Sequence, residues 1–168
     1  MEREPLWKAL VRLVPAVGWY AVIWYLSSQT GDESQAVSDG VLEAMGYDIK
    51  NALMSTSAFL SFLVRKGAHM FAFFALTGLL AFALWRLVKR PAFRGALALA
   101  LCGLLAGLDE FHQTFVPGRS GTLRDVGVDL LGGVCFLLLW ALAGLVLAKK
   151  RKNSANRRSS LDKTGNFL

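Results

Sequence analysis

The chain is poor in cysteine, proline, histidine and charge. Its 168 residues include 2 cysteines, 4 prolines and 2 histidines, and only 18% are Asp, Glu, Lys or Arg. Cys102 and Cys135 both lie inside apolar runs, without CxxC spacing and without a histidine beside them. That excludes a disulfide scaffold and a cysteine-based metal site, and both cysteines read as small buried hydrophobes. There is no HExxH, the zincin pattern, and no glycine elbow around Ser120 that would expose it as a nucleophile. No internal repeat appears, which argues against a transporter made of duplicated halves.

What the chain has is hydrophobicity: 54% of residues are apolar and the mean hydropathy is +0.42. Gly95 to Leu108 and Leu130 to Ala148 carry no charge at all. A soluble domain of this size could not hide such tracts, so the chain reads as an integral membrane protein. The fold class that follows is all-α: a polytopic membrane helix bundle of about four transmembrane helices plus a short outer interfacial helix. The net charge of +7 is no nucleic-acid signal, because most basic residues stand at the ends of apolar runs.

The first spanning helix is expected from about Leu10 to Ser28, uncleaved, with Trp19, Tyr20, Trp24 and Tyr25 as an interfacial aromatic belt. In the polar stretch after it, Val37, Val41, Leu42 and Met45 recur at helical spacing, which predicts a surface-lying amphipathic helix ended by Gly46. Ala52 to Val64 is apolar but too short to span, so a half-inserted or interfacial helix is expected there. The second span is expected over Lys66–Val88, broken by Pro91, and the third over Phe93–Phe115, followed by the Pro117-Gly118 turn. The fourth is expected over Leu123–Ala148, opened by the capping pattern Thr122-Leu123-Arg124-Asp125. Residues 1–148 thus form a transmembrane domain and residues 149–168 a basic, disordered tail.

Charge orients the bundle. With both termini cytoplasmic, every basic residue except Lys50, Arg65, Lys66, Arg119 and Arg124 falls inside. Only Glu2, Glu4 and Asp162 among the acids do so. This lysine and arginine bias satisfies the positive-inside rule.

That topology collects the chemistry on the outer side. Lys66 and His69 share one helix face, Asp109, His112 and Gln113 a second, and Asp125 and Asp129 a third, with Glu110 and Arg119 nearby. Asp129 lies about 9 Å into its helix and needs a partner there, Arg119, Lys66 or a histidine being nearest. Gly127, Gly132 and Gly133 allow helices to approach it closely. Each residue also has a plainer reading. Asp125 can be a helix cap, Arg65 and Arg124 interface anchors, Asp129 a register-setting ion pair, His69 and His112 satisfied core side chains, and Lys66 a snorkelling lysine. Asp109, Glu110 and His112 offer metal ligands, but their spacing is not diagnostic, and no metal or cofactor is expected. The mixed charge is suited to clamping a phosphate or carboxylate, with a carboxyl or imidazole group as acid or base.

Several of these elements, in this order, resemble the VanZ-like family of bacterial membrane proteins. They are Lys66-Gly67-Ala68-His69, the Asp109-Glu110-Phe111-His112-Gln113 element, Arg119-Ser120-Gly121, and Asp125 with Asp129 and Gly132. Ser27-Ser28-Gln29 matches as well, and aspartate at 129 replaces the family's frequent asparagine. The resemblance spans about Tyr25 to Trp140 and implies a four- or five-helix bundle in the cell envelope, with a link to teicoplanin-type glycopeptide susceptibility. Three functional readings stand side by side. One is an envelope protein whose outer pocket binds a membrane lipid or lipid-linked cell-wall precursor. The others are a membrane-embedded hydrolase or transferase acting on a phosphate-bearing lipid, and a small transporter. Whether the chain is an enzyme, and its oligomeric state, stay open.

Overall fold

The structure is a computed structural model, and it describes residues 6–49 and 54–165. Among them the secondary structure is helical throughout: α1 (Leu6–Ser27), α2 (Gly31–Ala44), α3 (Met54–Ala83), α4 (Pro91–Gln113) and α5 (Leu123–Gly165). Stretches of four of these, Leu10–Ser27, Thr56–Ala83, Pro91–Gln113 and Leu123–Ser154, are long and apolar enough to cross a membrane. The described residues up to Phe136 form one compact unit, and from Leu137 on the remainder of α5 forms a second.

The core of the first unit is built from small residues on α4 meeting large ones on α3. Gly95, Ala98, Cys102 and Ala106 recur every three or four positions along the buried face of α4. Against that face lie Phe73, Leu76 and Leu80 of α3, with Ala16 and Ile23 of α1. Val14, Phe71 and Leu104, by contrast, are exposed, as a hydrocarbon environment allows. Trp19 and Tyr20 join the first helix to its neighbours. Trp19 Nε1 donates to the Ala72 carbonyl at 2.9 Å and the Tyr20 hydroxyl to the Leu105 carbonyl at 3.0 Å, stitching α1 to α3 and α4.

The short helix α2 begins with a full capping box between Thr30 and Glu33 and ends at Gly46, whose φ is +85°. The Thr30 backbone amide and hydroxyl hold the exposed Glu33 carboxyl below its usual range. The exposed apolar stripe of α2 is the one a surface-lying helix presents, although Leu42 turns inward. Ser34, Ser38 and Leu42 form the buried stripe, while Val37, Val41 and Met45 are exposed. Small serines let α2 lie close to α3, and the valines are left for an apolar environment.

Residues 54–64 are not a separate half-inserted helix, for α3 is continuous from Met54; residues 52 and 53 lie outside the described residues. Polar residues fail to interrupt it because their hydroxyls bond back onto the helix. Ser57 donates to the Met54 carbonyl and Ser61 to the Ser57 carbonyl. At the other end α3 stops at Ala83, before Val88, and Pro91 opens α4 at its first position rather than merely closing α3. Nor does the last helix end at Ala148. Residues 149–165 continue α5, and no glycine or proline stands between Gly144 and Gly165 to stop it. Both cysteines are free, but only Cys102 is buried; Cys135 is exposed.

Close approach of α5 and α3 depends on Gly132, where an added Cβ would run into the Met70 carbonyl oxygen and lie 3.1 Å from the Phe74 nitrogen. Gly133 meets Thr77 and Cys102 likewise, but Gly127 has nothing within 4 Å and plays no part. Gly132→Ala must therefore lower stability by about 1–3 kcal/mol, as overpacking does. Gly127→Ala should be neutral or slightly stabilising. Thermal melts of the detergent-purified variants check this, and equal melting temperatures for the two would contradict the packing described.

Candidate functional site

The end of α4 carries its polar residues inward, where they meet the end of α1. Asp109 has no exposed surface. Its Oδ2 accepts from the Ser27 hydroxyl at 2.8 Å and from Gln113 Nε2 at 2.9 Å, while Oδ1 has no hydrogen-bond partner among the described residues. Beside it Glu110 is also buried, taking the Thr122 backbone N–H at 3.0 Å and Gln113 Nε2 at 3.3 Å. Gln113 thus bridges the two carboxyl groups.

Arg119, in the turn between α4 and α5, closes this arrangement from above. It donates to the carbonyls of Gln29 (3.0 Å) and Leu26 (3.1 Å) at the C-terminus of α1, and reaches Gln113 Oε1 at 3.5 Å. Those carbonyls are the orphan acceptors and negative pole of a helix end, which a guanidinium suits. Burial, and then Arg65 close by, lower the Arg119 pKa from its ordinary value, whereas Asp109 and Glu110 raise it. Two positions on, Gly121 is obligatory: an added Cβ would strike the Glu110 carbonyl oxygen.

Across the opening, Lys66 of α3 pairs with Asp125 of α5, Nζ to Oδ1, at 2.5 Å. Asp125 also completes the cap foreseen for α5, since its N–H bonds to the Thr122 hydroxyl at 3.2 Å and its Oδ2 accepts from that hydroxyl at 3.0 Å. One turn deeper, His69 Nδ1 stands 3.7 Å from Asp129 Oδ1. That is too far for a hydrogen bond. His69 is thus the nearest of the groups sought for Asp129 but gives it no hydrogen bond, and ligand atoms of His69, Glu110 and Asp129 come within 4.8 Å of one another.

Of the nine candidates, His112 alone stands apart. It stacks on Trp24 with centroids 4.1 Å apart, and its Nε2 lies 3.0 Å from the Ser28 hydroxyl. It serves the α1–α4 contact. The other eight, Lys66, His69, Asp109, Glu110, Gln113, Arg119, Asp125 and Asp129, form one connected region. Sequence reasoning missed a neighbouring network on α2 and α3. Asp39 accepts from Gln35 Nε2 at 2.9 Å and from the fully buried Ser61 hydroxyl, and Arg65 Nη2 donates to Gln35 at 2.6 Å. The i, i+4 spacing of Gln35 and Asp39 was the available signal.

Two clefts open on this region. A polar one of about 340 Å³ is edged by Arg65, Lys66, Arg119 and Arg124, with Ser120, Gln113 and Asp125. A mostly apolar one of about 150 Å³ runs between α1, α2 and α3 along Ile23, Leu26, Val37, Val41 and Val64. Arg65 and Arg119 line both, and His69 lines the apolar one.

Residues 13–144 match the sequence model of the family described as VanZ/LLP1. No curated protein and no solved structure matches the chain.

The Ser27–Asp109 bond is a buried, charge-capable contact, and such bonds contribute about 1–3 kcal/mol. A double-mutant cycle of Ser27→Ala and Asp109→Asn, read from unfolding in detergent, should give a coupling of that size. Additive effects of the two substitutions would show that Asp109 is not held from α1.

Proposed function

The chain belongs to the VanZ/LLP1 family, and from that premise we propose that it is an envelope membrane protein that binds an anionic, lipid-linked ligand. The ligand is a membrane lipid or a cell-wall precursor, and its capture alters susceptibility to teicoplanin-type glycopeptides. One observation carries the reading: a cation-edged cleft and an apolar cleft share Arg65 and Arg119 at their junction. That juxtaposition suits an amphiphile. A phosphate or carboxylate head is held by guanidinium and ammonium groups, and a chain lies against Ile23, Val37 and Val41. Burial and, after it, Arg65 lower the pKa of Arg119, and an anion placed between the two cations would offset both. The distribution of lysine and arginine supports an outward-facing cleft with both termini cytoplasmic.

A second reading, a hydrolase or transferase on a phosphate-bearing lipid, is favoured by the buried carboxyl groups Glu110 and Asp129 near His69. Turnover of a polyprenyl phosphate or phospholipid by the purified protein would select it.

Native mass spectra of protein released from mild detergent test the binding reading. Wild type should retain an anionic lipid species, and Lys66→Ala with Arg119→Ala should lose at least about tenfold in occupancy, the loss of two charge-assisted contacts. The same variants, inserted normally, should shift glycopeptide susceptibility. An unchanged lipid complement together with an unchanged phenotype would end this proposal.

A further inference from the structure

Beneath the cleft, α3, α4 and α5 each contribute one ligand-bearing side chain to a common point. These are His69, Glu110 and Asp129, with ligand atoms within 4.8 Å of one another. Asp129 is only 1% exposed. Its Oδ2 has no hydrogen-bond partner among the described residues, and its Oδ1 faces His69 Nδ1 at 3.7 Å. A carboxyl oxygen withdrawn from water without a donor is costly. A cation at the same point would remove that cost.

We infer that His69, Glu110 and Asp129 form a binding site for one divalent transition-metal cation of the Zn²⁺ or Mn²⁺ class. The donor set is one imidazole nitrogen and two carboxylates, a mixture these metals accept. Bonds of about 2.1 Å in tetrahedral geometry place ligand atoms about 3.4 Å apart. The His69–Asp129 separation of 3.7 Å is already close to that edge, and a Glu110 carboxyl oxygen lies within 4.8 Å of both. Glu110 is steadied from outside by the Thr122 N–H and by Gln113, the kind of support that orients a metal ligand. The spacing Asp109-Glu110-x-His112 pointed to a different trio, but the fold turns His112 away to Trp24 and brings His69 from another helix. Three protein ligands leave at least one position open. His69 lines the apolar cleft at whose polar end Arg65 and Arg119 stand, so the open position would accept water or an oxygen of an anionic ligand held there. The metal site stands on its own geometry. Only its role toward the ligand rests on the binding reading above, and metal uptake and lipid retention can fail separately.

The test is calorimetric titration of Zn²⁺ and of Mn²⁺ into chelator-treated protein purified without a polyhistidine tag. Melting temperature is recorded with and without each metal. Wild type should bind one equivalent of at least one of the metals and melt higher with it. His69→Ala, Glu110→Gln and Asp129→Asn should each weaken binding by at least about tenfold, while the exposed-site variants Asp32→Asn and Glu43→Gln should not. Folded wild type that takes up neither metal overturns the inference without recourse to any variant. So does a site that survives all three ligand substitutions.

Discussion

A carboxyl group withdrawn from water at the end of a membrane helix has to be given donors, and in this chain that requirement falls on Asp109. Its donors come from two directions, Ser27 on α1 and Gln113 one turn along α4. Meeting it fixes how α1 and α4 end relative to each other. Arg119 then spans both, binding the last carbonyls of α1 and the amide of Gln113. The turn that carries Arg119 must run tight against Glu110, which only Gly121 permits. The order of these residues along the chain therefore reflects one physical demand: a buried carboxyl group needs donors from its neighbours.

Once those ends are locked, positive groups gather at the opening even though the fold engages Arg119 and Arg65 through neutral acceptors. Lys66 is paired with Asp125, but Arg65, Arg119 and Arg124 all edge the polar cleft. Holding several cations together in a partly desolvated place is unfavourable unless an anion joins them. The apolar wall that adjoins them is made in part by the exposed valines Val37 and Val41 of α2. The combination is what an amphiphile with an anionic head demands.

Helix number and membrane character were legible in the sequence because charge-free runs have no soluble alternative. So was the meeting of Lys66, His69, Asp109, Glu110, Gln113, Arg119, Asp125 and Asp129, since helical spacing fixed their faces and charge bias assigned them to one side. Three features were not legible, each for a local reason. Ser57 and Ser61 look like an interruption of a short helix until their hydroxyls are seen bonding back along α3. Val37, Val41 and Met45 mark the apolar face of α2, but their spacing does not reveal that buried Ser34 and Ser38 set its packing. His112 shares a helical face with Asp109, yet stacking on Trp24 holds it against α1. In each case a polar side chain found a nearby partner that periodicity alone does not reveal.

The central claim is that the cation-edged cleft is open to the outer face of the membrane, where an envelope ligand can reach it. Ser120 is exposed and lines that cleft. Ser120→Cys, placed in a chain with both native cysteines replaced, can be challenged in intact cells with a membrane-impermeant maleimide. The account predicts labelling before permeabilisation. Labelling that appears only after the membrane is opened would put the cleft on the cytoplasmic side and contradict an outer-leaflet or cell-wall ligand.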